Sequence, residues 1–310
     1  MIDTDLENDV GSRLIMEAGS SSSVRTTIVP GNGVDRSVQV VAPPRLLRDL
    51  WRNLALLLNS MPLFKVFVRR SIALRHTQSF LGVVWLTIQP VASTLTVLFM
   101  FNIIQVNTAD GANKGLFLFS GIMVWQFFAR GLTDATSSLH AHAGILTKVY
   151  LPKLMLPLAS VAAAWFETLI TIALLILACF VFGIPLSPRV LWLPIFLTIV
   201  CLSSLCIGIG LAPLHALYRD VGMMVPFALQ LAMFISPVYY ATRFIPEKYQ
   251  LLYHLNPMVT LIEGVRWSLL PESPAPELGY IIINLVSIVL MFGVSLFIYQ
   301  KLESLVVDRI

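Results

Sequence analysis

The feature that most constrains this chain is a series of six long apolar runs that hold almost no charged residues. A helix needs about 20 apolar residues to cross the hydrocarbon core of a bilayer. Only 12% of the 310 residues are charged, against about 25% in soluble domains. We therefore predict an all-α integral membrane protein with six transmembrane helices, and a soluble fold is excluded. The spans cover about 83–105, 115–139, 154–182, 190–214, 221–242 and 279–300.

Three regions make up the predicted domain organisation. Residues 1–44 are polar and rich in Ser, Gly and Asp, and we expect a disordered cytoplasmic tail. Residues 45–78 form an amphipathic interfacial helix region, and residues 79–310 form the transmembrane domain.

The interfacial region combines leucines at helical spacing with a cluster of cations. An apolar face opposite a basic face is typical of a helix that lies in the membrane surface. A soluble amphipathic helix would show the same pattern, but the span that follows at once favours the membrane surface. The cations that we assign to this helix are Lys65, Arg69, Arg70 and Arg75.

The segment at about 243–270 is apolar but broken by prolines and charges, and it does not read as a span. Asn256 followed by Pro257 is typical of a helix start. The helix that begins there is too short to cross a bilayer. We predict a pair of short re-entrant helices before the last span, which are tolerated where protein buries them or where they line a wet cavity.

The distribution of basic residues predicts the topology. Six spans place both termini on one side. If that side is the cytoplasm, it holds nine Lys and Arg from Lys65 onward and the other side holds five. We predict a multi-pass protein of the bacterial inner membrane with both termini in the cytoplasm and the re-entrant helices outside.

Three ionisable residues fall inside the predicted spans: Arg130 and Asp134 in the second, and Glu167 in the third. Such groups are costly at membrane depth and face the bundle or a cavity. Two interpretations remain open, a polar pathway or switch and a structural ion network. His140 and His142 are two apart, hence on different helix faces, and we expect no metal site. The sequence has no GxxxxGK[ST] motif, so we expect no catalytic residue and no bound cofactor on this chain.

The loop after the second span, residues 142–157, is short and partly apolar, which indicates a docking surface for another protein. A second short loop on the same predicted side carries Arg219 and Asp220. An uninterrupted continuation of the third span would explain the first loop equally simply. The docking candidates in the first loop are Leu146, Lys148, Tyr150, Leu151, Pro152 and Lys153.

From residue 50 to residue 310 the ordered set of segments resembles the membrane (permease) subunit of polysaccharide-export ABC transporters, a family that moves O-antigen, capsule and teichoic acid chains. SFLGVVWLTIQP (79–90) is similar to that family's start of the first span. GILTKVYLPKLMLPLA (144–159) is similar to its coupling helix, and RDVGMMVP (219–226) to its second cytoplasmic contact. SPVYYATRFIPEKYQLLYHLNPMVTLIEGVR (236–266) is similar to its re-entrant pair below an external gate.

The resemblance implies a homodimer that sits on two copies of a cytoplasmic ABC ATPase, with ATP and Mg bound on the ATPase alone. A channel between the two copies would pass a lipid-linked polysaccharide, and nucleic acid is not an expected partner. The gate would include Pro237, Tyr239, Tyr240, Asn256, Pro257, Glu263 and Arg266. Aromatic rings that could stack on sugars in the channel are Trp85, Phe99, Trp125 and Phe128, although contact with lipid explains each ring equally well.

Alternative functions are an ABC exporter of lipids or drugs and an integral-membrane lipid-glycan transferase. The transferase would need acids or histidines clustered at one membrane face, and those in this sequence are scattered. A secondary transporter would be expected to show an internal repeat, and we find none.

Overall fold

A computed structural model describes residues 24–29, 36–41, 61–76, 84–105, 113–142, 144 and 154–309. The chain divides into a small unit, Met1–Asp49, and a large unit, Leu50–Ile310.

The small unit contains a β-hairpin. Strand β1, Val24–Val29, pairs antiparallel with β2, Arg36–Val41, so that Val24 lies opposite Val41. Both strands are rich in Val, Thr and Ile, whose branched side chains favour extended backbone, and the sequence PGNGVD between them is rich in turn-forming residues. Within the tail predicted at 1–44, these two strands are the part that the structure describes.

The described part of the large unit is helical apart from its connecting turns. It holds two 3₁₀ helices, Pro188–Trp192 and Thr242–Phe244. Its α-helices are α1 (Met61–His76), α2 (Trp85–Ile104), α3 (Lys114–Ala141), α4 (Met155–Val181), α5 (Leu193–Leu217), α6 (Val221–Ile235), α7 (Glu247–Tyr253), α8 (Pro257–Leu269) and α9 (Leu278–Arg309).

Within the described residues, five helical segments are long and apolar enough to cross a membrane, namely α2, α3, α4, α5 with the 3₁₀ helix before it, and α9. The predicted span at 221–242 differs, because α6 has only 15 residues. At 1.5 Å per residue it extends about 22 Å, less than the roughly 30 Å of the hydrocarbon core. Pro237 explains the early end, since the residue before a proline is driven to extended backbone, and Ser236 has φ −84° and ψ 155°.

Helix α3 is the centre of the bundle, with 83% of its most apolar stretch buried. It packs most extensively against α5, and small residues allow this close approach. A Cβ atom added to Gly131 would lie 2.7 Å from the Ser204 hydroxyl, and one added to Gly208 would collide with Ala135. Replacing either glycine would therefore push the two helices apart.

Helices α2 and α6 lie at the periphery. Only 11% of α2 is buried, and large apolar side chains project from both helices into the surroundings. Lipid or another protein must cover these faces, since water would not be tolerated there.

Helix α1 lies inside the predicted interfacial region and is amphipathic. Phe67 and Ser71 are buried, and the helix packs against α4. Lys65, Arg69 and Arg70 are exposed. Residues 45–60 of the predicted region lie outside the described residues, as does the side chain of Arg75.

The bundle has two distinct ends. The re-entrant end carries α7 and α8 together with the N-terminal part of α3 and the C-terminal end of α6. The loop end carries the C-terminal ends of α3 and α5, the start of α6, and α1, whose Phe67 ring contacts His142.

Candidate functional site

The pair of short helices that the sequence predicts to be re-entrant corresponds to α7 and α8, which are separated by only three residues, 254–256. Asn256 caps α8 as the sequence predicted: its Oδ1 accepts a hydrogen bond from the Met258 N–H at 3.1 Å. Its Nδ2 donates to the Ser236 hydroxyl at 2.9 Å, at the point where α6 ends. One side chain thus starts one helix and fastens it to the end of another.

Arg266 is the buried centre of the re-entrant end, with 3% of its surface exposed. Its Nη1 donates to the Pro237 carbonyl at 2.6 Å, and its Nη2 to the Val238 carbonyl at 2.7 Å. Longer hydrogen bonds run to the carbonyls of Tyr240 (3.4 Å) and Phe117 (3.3 and 3.4 Å). These acceptors belong to non-helical backbone after α6 and to the first turn of α3, so Arg266 joins three parts of the bundle.

The surroundings of Arg266 act on its charge in opposite directions. The guanidinium carbon lies 3.5 Å from the centre of the Phe117 ring, close enough for a cation–π interaction. Burial lowers the pKa of Arg266, and the carboxylate of Glu263, one turn earlier on α8, acts in the opposite direction. Gly121 provides the necessary space, since a Cβ there would lie 2.5 Å from Arg266 Nη2. Arg266 lies on α8, within the segment that was predicted to be re-entrant, but its carbonyl partners could not be read from the sequence.

Tyrosine hydroxyls form hydrogen bonds at the same end of the bundle. Tyr253 on α7 donates to the Tyr240 hydroxyl at 3.0 Å, and Tyr240 donates to the Ile235 carbonyl at 2.8 Å. Burial, followed by the hydrogen bond to Tyr240, raises the pKa of Tyr253, which therefore stays a hydrogen-bond donor. Tyr239 contacts the Met233 sulfur at 3.4 Å. Of the predicted gate residues, Pro237, Tyr240 and Arg266 are joined directly by hydrogen bonds.

Helix α9 contributes residues that sequence reasoning missed. Asn284 donates to the Pro257 carbonyl at 2.6 Å, and Ser287 donates to the Leu255 carbonyl at 2.7 Å. The His254 ring stacks on Tyr280 with ring centres 3.7 Å apart. Burial lowers the pKa of His254, so this imidazole is neutral at pH 7. The signal in the sequence was the presence of Asn284 and Ser287 within the last apolar run. Polar side chains are costly in lipid, so they mark the face of the helix that contacts protein.

Together these contacts satisfy the backbone at the break between α6, α7 and α8. Irregular backbone at membrane depth is stable only where such partners exist. At the re-entrant end, hydrogen bonds and ring contacts therefore hold these helices together.

A second polar group lies between α2, α3 and α4. Arg130 Nη2 donates to Gln89 Oε1 at 3.1 Å, and Gln126 Nε2 lies 3.4 Å from the Ser93 hydroxyl. A cavity of about 20 Å³ adjoins them, lined by Leu86, Met123, Gln126, Phe127, Arg130, Glu167 and Thr171. This volume holds about one water molecule.

The structure brings Arg130 and Glu167 to one cavity. The Glu167 side chain is buried, with 5% of its surface exposed. Asp134 does not line the cavity. The Oε1 of Gln126 is buried and has no hydrogen-bond partner among the described residues, so it is the natural acceptor for such a water.

The loop end has a joint between α3, α5 and α6. His140 stacks on His215 with ring centres 5.1 Å apart, and Gly222 lies against the His215 ring. His142 turns away to Phe67 on α1, with ring centres 5.9 Å apart, which confirms that His140 and His142 occupy different faces.

Arg219 and Asp220 form the exposed turn next to this joint. The Asp220 carbonyl accepts from the Met224 N–H at 2.9 Å and so starts α6. The other predicted docking residues, Leu146, Lys148, Tyr150, Leu151, Pro152 and Lys153, lie outside the described residues.

The four aromatic candidates divide into two pairs. Trp85 and Phe99 on α2 are 52% and 69% exposed. Trp125 and Phe128 are buried in the core, with ring centres 5.6 Å apart. Only the α2 pair offers a ring surface outside this chain.

Comparison with known families identifies this arrangement. A family model described as ABC-2 type transporter matches residues 62–270, from the start of α1 to the end of α8. The chain belongs to the ABC-2 type transporter family. It is therefore a transporter membrane subunit, and the match covers the loop end, the polar group and the re-entrant end alike.

Curated relatives cover most of the chain. An "O-antigen export system permease protein RfbA" of Klebsiella pneumoniae is 28% identical over 242 residues, which is 78% of this chain and 92% of the relative. A protein of the same name from Myxococcus xanthus is 25% identical over 263 residues, 84% of this chain and 97% of the relative. The "Polysialic acid transport protein KpsM" of Escherichia coli is 25% identical over 242 residues, 76% of this chain and 91% of the relative.

Proposed function

We propose that this chain is the permease of an ABC transporter that exports a lipid-linked polysaccharide, such as an O-antigen-like glycan, across the bacterial inner membrane. One observation carries the proposal: the chain aligns with more than nine-tenths of relatives that are named for O-antigen export and for polysialic acid transport. Both names denote the movement of long glycans.

In this proposal the chain has six spans. The span that α6 begins, the fifth in chain order, is completed by the segment 236–240 that follows it. The loop end faces the cytoplasm, both termini lie there, and the re-entrant end faces outward. The excess of basic residues on the loop-end side supports this orientation.

Two copies pair through surfaces that include α2. The support is chemical: the Arg130–Gln89 pair lies at an exposed part of α2 and α3, and a cation at membrane depth needs water or protein beside it. A channel between two copies provides that environment. Trp85 and Phe99 would then face the channel and stack on sugar rings.

Two copies of a cytoplasmic ABC ATPase bind the loop end and carry the ATP and Mg. The segment 144–159 and the turn with Arg219 and Asp220 are the proposed docking surfaces. The joint of His140, His215 and Gly222 lies next to that turn. A displacement of the turn would therefore be transmitted to α3 and α5 through these side-chain contacts.

The test is to delete the gene in its native host and to measure two pools, the glycan on the cell surface and the lipid-linked glycan on the cytoplasmic side. We expect loss of the surface glycan and accumulation of the lipid-linked form, because synthesis continues while export stops. A plasmid copy of the gene should reverse both changes. Unchanged pools would contradict the proposal and favour export of lipids or drugs, and absence of the glycan from both pools would favour a transferase.

A further inference from the structure

A groove outside the sites described above runs between α1 and α4. Its volume is about 310 Å³, and it is lined by Phe64, Lys65, Val68, Arg69, Ile72 and Ala162. Grooves of this size take small organic ligands. The groove shares no lining residue with the Arg130 cavity.

The floor of the groove is apolar. Phe64, Val68 and Ile72 lie on one face of α1 at spacings of four residues, and each is half-buried. Ala162 on α4 has a small side chain and leaves the trough open. A hydrocarbon chain would exclude water from this floor, which favours binding by roughly 25 cal/mol for each Å² of apolar surface removed from water.

The rim of the groove is cationic. Lys65 and Arg69 are four residues apart on α1, so they share a face, and both are exposed. Neither forms an ion pair or a side-chain hydrogen bond with any residue in the part of the chain that the structure describes. Two unpaired cations beside an apolar trough match an anionic headgroup joined to an apolar tail.

We propose that this groove binds an anionic phospholipid of the bilayer, with its phosphate on Lys65 and Arg69 and one acyl chain along Phe64, Val68 and Ile72. Basic pockets at the membrane surface are suited to lipid phosphates. A helix that precedes the first span stands at that surface. The groove lies on the α1–α4 side, whereas the polar pair of Arg130 and Gln89 lies between α2 and α3, so the lipid site is separate from the proposed channel.

The bound lipid would fix α1 against α4. Its contacts are to α1 on the rim and to both helices on the floor, so it bridges them. We expect a lipid to occupy the groove whatever substrate the transporter carries, so this inference is independent of the proposed substrate.

The experiment uses the full chain in complex with its ATPase, purified in mild detergent from a host whose membrane contains phosphatidylglycerol. Mass spectrometry of the intact complex measures the phosphatidylglycerol retained. The test variant is Lys65→Gln with Arg69→Gln. The control is Arg70→Gln, because Arg70 is exposed on the same helix but does not line the groove.

We expect the double variant to retain phosphatidylglycerol roughly 30-fold more weakly than the wild type, given the contribution of two basic residues near a membrane surface. The control should retain it as the wild type does. Equal retention in the double variant and the control would overturn the proposal. Recovery of the lipid-linked glycan in place of phosphatidylglycerol would also overturn it.

A second variant, Val68→Trp, separates the tail from the headgroup, since it fills the floor and keeps both cations. We expect it to lose phosphatidylglycerol as well. Retention of the lipid by this variant, or full displacement of the lipid from the wild type by millimolar inorganic phosphate, would show a site for phosphate alone and contradict the lipid assignment. Normal amounts of ATPase in each preparation establish that the variants are folded.

Discussion

At the scale of single residues, Arg266 explains how a broken helix can be stable inside a membrane protein. Its hydrogen bonds reach the carbonyls of Pro237, Val238 and Tyr240, which lie in non-helical backbone, and the carbonyl of Phe117 in the first turn of α3. Glu263, which was predicted together with Arg266 at a gate, is half-buried one turn earlier on α8. Burial raises the pKa of the Glu263 carboxyl.

This contrast predicts different outcomes for two neighbouring substitutions. Arg266→Lys keeps the charge but has too few donors for all the carbonyls, and each buried polar group left unpaired costs about 1–3 kcal/mol. We expect the melting temperature of the purified complex to fall markedly. Glu263→Gln, three residues away, replaces a carboxyl by a neutral group of similar shape and should change the melting temperature little.

The outcome that would contradict this account is a similar fall for both variants, or an Arg266→Lys protein as stable as the wild type. Export assays on the same variants would then separate loss of the re-entrant contacts from loss of a gate, because a gate residue affects transport without loss of stability.

Single residues also show which interactions can be predicted from a sequence. The Asn256 cap was predicted because cap and helix are adjacent in the chain. The contact of Arg266 with Phe117 spans 149 residues and depends on how α3 and α8 pack, which no local pattern contains. The same reason hid His254, whose stacking partner Tyr280 lies on α9.

At the scale of elements, the helices follow the apolar runs closely, since the same hydrophobic stretch defines both. The predicted spans at 83–105 and 115–139 correspond to helices Trp85–Ile104 and Lys114–Ala141. The last helix continues to Arg309, well beyond the apolar run that ends near residue 300, because charged residues can continue a helix once it has left the lipid. Helix α6 is shorter than its apolar run because Pro237 ends it.

The joint between α5 and α6 predicts a steric effect. A Cβ added at Gly222 would lie 2.5 Å from Nε2 of His215. Overpacking of this kind costs about 1–3 kcal/mol, although alanine is otherwise the better helix former. We expect Gly222→Ala to lower the melting temperature of the complex and to weaken the coupling of ATP hydrolysis to export.

A compensating variant makes the steric cause testable. His215→Ala in the Gly222→Ala background removes the obstructing ring and should restore stability. Gly293→Ala on α9 is the matched control, because nothing lies within 4 Å of its added Cβ. Failure of the double variant to recover, or an equal effect of the control, would show that the joint is not the cause.

At the scale of the whole molecule, the large unit is a core of α3 and α5 wrapped by helices that leave much apolar surface exposed. The composition predicted a membrane protein because 57% hydrophobic residues exceed what a single chain can bury. The architecture within the membrane needed the structure, because small residues such as Gly131 and Gly208 set helix distances through partners that are far away in sequence.

The central claim is that this chain, with an ATPase, moves a lipid-linked glycan across a membrane. The most direct measurement uses sealed vesicles with both subunits, ATPase outward, and lipid-linked glycan accessible on the outer surface to a glycosidase. We predict that ATP and Mg protect the glycan from the enzyme, and that omission of this chain or use of an ATPase that cannot hydrolyse ATP abolishes the protection. Glycan that stays accessible while the complete complex hydrolyses ATP in sealed vesicles would contradict the claim.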